Sequence, residues 1–162
     1  MVARQILDSP EVAMFLPQTA EYALRAMAKL ANSPKGEAVR ATDLSIQTGI
    51  PSHYLSKILR RLVVAGLLSS RKGHGGGFKL ARPLQYIRFL DILLAVGYRT
   101  DPDRCSFGWG NCNANKPCPL HNAWSRLNTE FLDWATSTTL KDVIMGDAFE
   151  ENYDARVTQN GH

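Results

Sequence analysis

The period of the apolar positions changes several times along the chain, and each change marks an element. From Gln18 onward, Ala20, Ala23, Leu24, Met27, Leu30 and Ala31 recur at three and four residues, the signature of one helical face. Asn32-Ser33-Pro34-Lys35-Gly36 then stops the helix with consecutive breakers. A second, short helix is predicted over Ala41–Thr48, with Asp43 near its positive N-terminal end and Gly49 as its stop. Pro51 suits the first turn of a third helix, in which Leu55, Ile58, Leu59, Leu62 and Val63 form the apolar stripe. Ser52, His53, Ser56, Lys57, Arg60 and Arg61 are left on its other faces.

Two short helices joined by a tight glycine turn, the second polar and basic outside, predict a helix-turn-helix. After Gly66 the period falls to that of strands. Residues 67–71 and Gly77–Leu80 read as a hairpin across the glycine-dense turn Lys72-Gly73-His74-Gly75-Gly76. A basic hairpin directly after a helix-turn-helix is a wing, suited to lie along phosphates or enter the minor groove. The same glycines fail as a phosphate-cradling loop, which needs a helix after it rather than a strand. His74-Gly75-Gly76-Gly77 also fails as an esterase oxyanion stretch, because the chain has no G-x-S-x-G elbow.

Beyond Pro83, residues 86–96 are apolar on nearly every face and predict a helix buried between partners, ended by Gly97. Leu120, Trp124, Leu127, Phe131 and Trp134 then alternate at four and three, a coiled-coil-like seam that favours pairing with a second copy. Thr138 or Thr139 can cap a last short helix over residues 140–145. The expected organisation is therefore mainly α with a small β-hairpin wing. A winged helix-turn-helix domain spans residues 15–82, and dimerisation helices span 83–146. A flexible extension over 1–14 and an acidic flexible tail over 147–162 flank them.

Charge sharpens this picture. The net charge is only +4, but between Ser45 and Leu90 there is no Asp or Glu. Lys57, Arg60, Arg61, Arg71, Lys72, Lys79, Arg82 and Arg88 fall in that interval, the footprint of a polyanion site. The tail reverses the sign, with Asp147, Glu150, Glu151 and Asp154 against Arg156. No apolar run is long enough to span a bilayer, and the N-terminal residues lack the ordering of a secretory signal. The expectation is a cytoplasmic protein with reduced thiols and no membrane partner.

The three cysteines, Cys105, Cys112 and Cys118, lie together within residues 99–121, separated by six and five residues, with two more between Cys118 and His121. Buried cysteines sit in apolar runs, whereas these are embedded in Gly, Asn, Lys and Pro. Structural zinc and an iron–sulfur cluster both accept thiolate and imidazole. Zinc sites usually pair ligands at short spacing, and only Cys118 and His121 do so here. The residues by themselves leave the two open.

Four blocks together carry a resemblance. Residues 19–26 (TAEYALRA), 49–59 (GIPSHYLSKIL), 71–78 (RKGHGGGF) and the set Cys105, Cys112, Cys118 and His121 resemble the opening helix, recognition helix, wing and cluster loop of the Rrf-two family of bacterial winged-helix regulators. The likeness extends over about residues 15–145. It implies a homodimeric transcription regulator that reads a palindromic site in double-stranded DNA and responds to iron–sulfur status, redox state or nitric oxide. The three cysteines would hold an iron–sulfur cluster with one further ligand. His121 matches members holding a 2Fe–2S cluster and is favoured because it shares the loop. Glu21 stands where nitric-oxide-sensing members place a carboxylate ligand of a 4Fe–4S cluster. The six residues between Cys105 and Cys112 depart from the family's usual five.

On this reading Ser52, His53, Tyr54, Ser56 and Lys57 lie nearest the bases, Arg60 and Arg61 meet phosphate, and Arg71 and Lys72 meet phosphate or the minor groove. The rival is a small zinc- or cluster-containing redox protein or enzyme that does not act on DNA. It leaves the acid-free basic interval without a purpose.

Overall fold

The first helix, α1 (Gln18–Ala31), starts at Pro17, whose carbonyl accepts the Ala20 and Glu21 amides at 2.8 and 3.1 Å. It ends where the Asn32 side chain donates to the Ala28 carbonyl and the Ser33 hydroxyl to that of Lys29, both at 3.0 Å. The computed structural model describes residues 16–34, 37–99 and 115–144. The expected N-terminal extension, the acidic tail, Cys105 and Cys112 lie outside them. The buried face of α1 is mostly alanine with Met27 and Leu30, so neighbouring helices approach it closely.

Helix α2 (Ala41–Thr48) leads through Gly49, at φ +67°, into α3 (Ser52–Val64). The turn between them is built by side chains. Thr48, fully buried, donates to the Leu44 carbonyl at 2.6 Å and accepts the Ile50 amide at 3.4 Å. Ser45 donates to the Ile50 carbonyl at 2.6 Å. Leu55, Ile58, Leu59 and Leu62 of α3 are buried against α1 and α2. Gly66 ends the helix with the Leu67 amide reaching back to Leu62 (3.0 Å) and its own amide to Val63 (2.9 Å), a Schellman closure. Arg82 adds a cation there, donating from Nε to the Gly66 carbonyl at 3.1 Å.

Strands β1 (Leu68–Arg71) and β2 (Gly77–Leu80) pair antiparallel, with Leu68 opposite Leu80 and Arg71 opposite Gly77. β2 also pairs at one residue with the segment before α2. Val39 and Phe78 exchange both backbone hydrogen bonds, at 2.9 and 2.8 Å, so the segment before α2 binds the wing's inner edge. Gly77 makes this approach possible: a Cβ there would stand 2.5 Å from the Val39 carbonyl oxygen, at a φ of +152°. Gly77→Ala is therefore expected to lose about 1–3 kcal/mol of stability in denaturant titration. The Val39 and Phe78 amides should lose exchange protection with it, and unchanged protection would contradict this role.

Downstream, the structure corrects the expectation of one helix over residues 86–96. Leu84–Tyr86 form a single 3-10 turn, Ile87 is extended and buried, and α4 covers only Phe89–Ala95. Pairing with the C-terminal segment decides this. The Ile87 carbonyl accepts the Leu140 amide at 3.0 Å, and the Phe89 amide donates to Thr138 at 2.9 Å. Arg88 and Asp91 close the start of α4, the Arg88 amide and guanidinium all donating to the carboxylate at 2.8–3.1 Å. Burial alone would raise the Asp91 carboxyl, but these bonds and the Arg88 charge hold it below the usual carboxylate range. Gly97 ends α4 at φ +87°.

Helices α5 (His121–Ser137) and α6 (Leu140–Ile144) complete the described chain. Thr139 caps α6, donating its amide and hydroxyl to Asp142 at 2.7 and 2.8 Å, which lowers the carboxyl's pKa. α4 and α6 both pack on α1. Ile87, Ile92, Leu93 and Leu140 thus share one core with Met27, Leu44, Leu59 and Leu62. No helix among the described residues is long and apolar enough to cross a membrane.

Candidate nucleic-acid interface and cysteine loop

Because the stripe of α3 is spent on the core, its opposite face is free. Ser52, His53, Tyr54, Ser56, Lys57, Arg60 and Arg61 are all exposed. Ser56 donates to the Ser52 carbonyl at 2.8 Å, which leaves its oxygen lone pairs to face outward. Neither Lys57 nor Arg60 has an acidic partner among the described residues. On the wing, Arg71 and Lys72 are exposed at the end of β1 and the start of the glycine turn. The acid-free interval of the sequence therefore presents exposed cations on both α3 and the hairpin.

Arg61 is placed differently from its neighbours. Its Nη1 donates to the Val96 carbonyl at 2.8 Å, tying α3 to the end of α4 immediately before the cysteine loop. Arg61→Ala should lower stability by about 1–3 kcal/mol, the value of a hydrogen bond to a charged group. Urea titration measures this. A loss of DNA affinity without any loss of stability would instead make Arg61 a plain phosphate contact.

The N-terminal end of α3 is held by aromatic contacts with α1 that sequence reasoning missed. The Tyr54 ring stands edge-on to Tyr22 at 6.3 Å, and His53 lies tilted against Tyr54 at 4.3 Å. The Arg25 guanidinium sits 5.5 Å from the Tyr22 ring centroid, and Gln18 donates to the Tyr22 hydroxyl at 3.0 Å. Glu21, one candidate ligand, is bonded to Arg25, with both side chains one-third exposed. The recurrence of Gln18, Tyr22 and Arg25 at four and three residues was the available signal; each lies outside the apolar stripe.

Of the cysteine set, Cys118 and His121 fall among the described residues. Cys118 is a half-buried free thiol, and its carbonyl accepts the His121 amide at 3.0 Å in the first turn of α5. A thiol and an imidazole thus stand three residues apart at one helix start, with Cys105 and Cys112 in the preceding stretch outside the described residues. No three His, Cys, Asp or Glu side chains among the described residues gather closely enough for a metal. Just before the loop, Tyr98 stacks edge-on with Phe131, ten residues into α5, at 5.9 Å. Burial raises the Tyr98 phenol above its ordinary pKa, so it stays neutral.

Along the aromatic seam of α5, Trp134 stands edge-on to Phe89 of α4 at 5.2 Å and beside Phe131. Leu120, Leu127 and Trp134 remain 42%, 45% and 40% exposed.

A helix-turn-helix with a cationic second helix, followed by a hairpin wing, defines a winged-helix DNA-binding regulator. The family model for Rrf2, described as an iron-dependent transcriptional regulator, matches residues 16–146, and the chain belongs to that family. It is 30% identical over 132 residues to the HTH-type transcriptional regulator IscR of Vibrio cholerae, covering 82% of this chain and 76% of that one. The fold is similar to that of CymR, the global cysteine regulator of B. subtilis (TM-score 0.67, 21% identity, 81% of this chain and 96% of that chain). It is also similar to T. potens IscR (TM-score 0.63, 20% identity, 89% and 92%). These relatives are transcription regulators, not enzymes.

Proposed function

We propose that the protein is a cytoplasmic, homodimeric regulator whose affinity for a palindromic DNA site is set by an iron–sulfur cluster in the cysteine loop. The observation that carries this reading is the adjacency of two features. Arg61 of the helix that bears the cationic face is bonded to Val96, three residues before Arg99, where the cysteine stretch begins. A change in the loop thus has a short route to the DNA face.

On the DNA side, α3 enters the major groove with Ser52, His53, Tyr54, Ser56 and Lys57 toward the bases, and Tyr22 and Arg25 steady Tyr54 from behind. Arg60, Arg71 and Lys72 neutralise phosphate, while Arg61 holds the joint between α3 and α4. The exposed positions of the α5 seam, Leu120, Leu127 and Trp134, pair with a second copy, which would place two recognition helices on two half-sites.

Cys105, Cys112 and Cys118 with His121 supply the donor set. A free thiol and an imidazole on one turn suit an iron–sulfur group. Glu21 is the alternative fourth ligand and would first have to release Arg25. When bound, the cluster supplies an iron centre sensitive to redox state and nitric oxide. The test is purification without oxygen. A brown protein containing iron and acid-labile sulfide, with His121→Ala altering its spectrum and Glu21→Ala leaving it unchanged, supports a 2Fe–2S site with His121. A colourless protein containing zinc contradicts the reading.

A further inference from the structure

Where the end of α3 meets the end of α4, a groove of about 430 Å³ opens, lined by Lys57, Arg60, Arg61, Val64, Ala65 and Ala95. Its lining combines apolar side chains with cationic ones. Val64 is 82% exposed, while Leu62, two residues earlier on the same helix, is fully buried. Arg61 is already committed to Val96, and Lys57 and Arg60 have no acidic partner among the described residues. An occupant suited to this groove presents carboxylates and a large apolar side chain together.

The chain itself contains such a stretch. Asp147-Ala148-Phe149-Glu150-Glu151-Asn152-Tyr153-Asp154 has four acids, no Lys or Arg, and two aromatics four residues apart. It lies outside the described residues and follows α6, which ends at Ile144. The nine residues from there to Tyr153 reach at most about 30 Å when extended, roughly the diameter of a small domain. We infer that residues 147–154 dock in this groove, an aromatic ring against Val64 and carboxylates beside Lys57 and Arg60. The docked tail competes with DNA phosphate for those two cations. The competition rests on the DNA-binding reading above; the docking does not. The acidic tail then acts as a built-in polyanion that weakens non-specific binding and leaves a well-matched site able to displace it. Its effect is greatest at low salt, where charge is least screened.

The test compares the full-length protein with a full-length variant carrying Asp147→Asn, Phe149→Ser, Glu150→Gln, Glu151→Gln and Asp154→Asn. Without DNA, the two should differ in NMR shifts at Val64, Ala65 and Ala95. Against a fluorescein-labelled duplex of mixed sequence, the variant should bind about tenfold tighter at low salt, the gain shrinking as salt rises. Superimposable spectra at those three residues overturn the docking, even if affinity rises, since an undocked tail also repels DNA. Shifted spectra with equal affinities overturn the competition. Failure of both proteins to bind any duplex overturns the DNA-binding reading instead, and the spectra still decide the docking.

Discussion

Replacing Lys57, Arg60, Arg71 and Lys72 together with alanine is expected to weaken binding to duplex DNA by on the order of 100-fold or more at moderate salt. The fold should survive, because all four side chains are exposed and none supports the core. The effect comes from counterion release: each phosphate contact removed should flatten the plot of log affinity against log salt by about 0.9. Anisotropy titrations at several salt concentrations measure both quantities. A variant that binds as the wild type does, with the same slope, would mean that DNA meets another face. Lys79 is the control, since it lies on β2 outside the proposed contact set. Lys79→Ala should change the slope by less than one contact.

The second large effect is expected at the cysteine loop. Cys112→Ser should remove the visible absorption of anaerobically purified protein entirely, since a hydroxyl does not replace the thiolate that iron–sulfur clusters require. Its DNA affinity should equal that of wild-type protein stripped of its cluster. Three small buried hydrophobes would give a different result, a loss of stability with no change in colour. A structural zinc site would give a third, a colourless wild type that loses zinc and unfolds on mutation.

The parts of the fold governed by local signals were legible in the sequence. Gly49, Pro51 and Gly66 bracket α2 and α3 at the expected positions, because positive φ and proline geometry act on the chain whatever it packs against. The hairpin followed from the glycine turn in the same way. What was illegible depends on partners remote in sequence. Val39 looks like a loop residue until Phe78 offers it two hydrogen bonds. Ile87 and Arg88 carry a helical pattern but are held extended, because Thr138 and Leu140 supply backbone partners from about fifty residues away. Phe131 and Trp134 read as part of a dimer seam, and their contacts with Tyr98 and Phe89 arise only once α4 and α5 are packed.

The candidate site divides along the same line. Composition alone located the cationic face, since an interval without acids needs no structure to be noticed. It did not distinguish Arg61 and Arg82, which are bonded to the carbonyls of Val96 and Gly66, from Lys57 and Arg60, which have no acidic partner among the described residues. Nor did it connect Glu21 to the recognition helix. The sequence of contacts from Glu21 through Arg25 and Tyr22 to Tyr54 exists only once α1 and α3 are packed.

The most direct test of the regulatory reading is the affinity of the protein for a DNA site selected by the anaerobic, cluster-loaded form, measured at one salt concentration with and without the cluster. A coupling between loop and DNA face predicts affinities that differ by about 5- to 150-fold. Equal affinities for the two forms would contradict it.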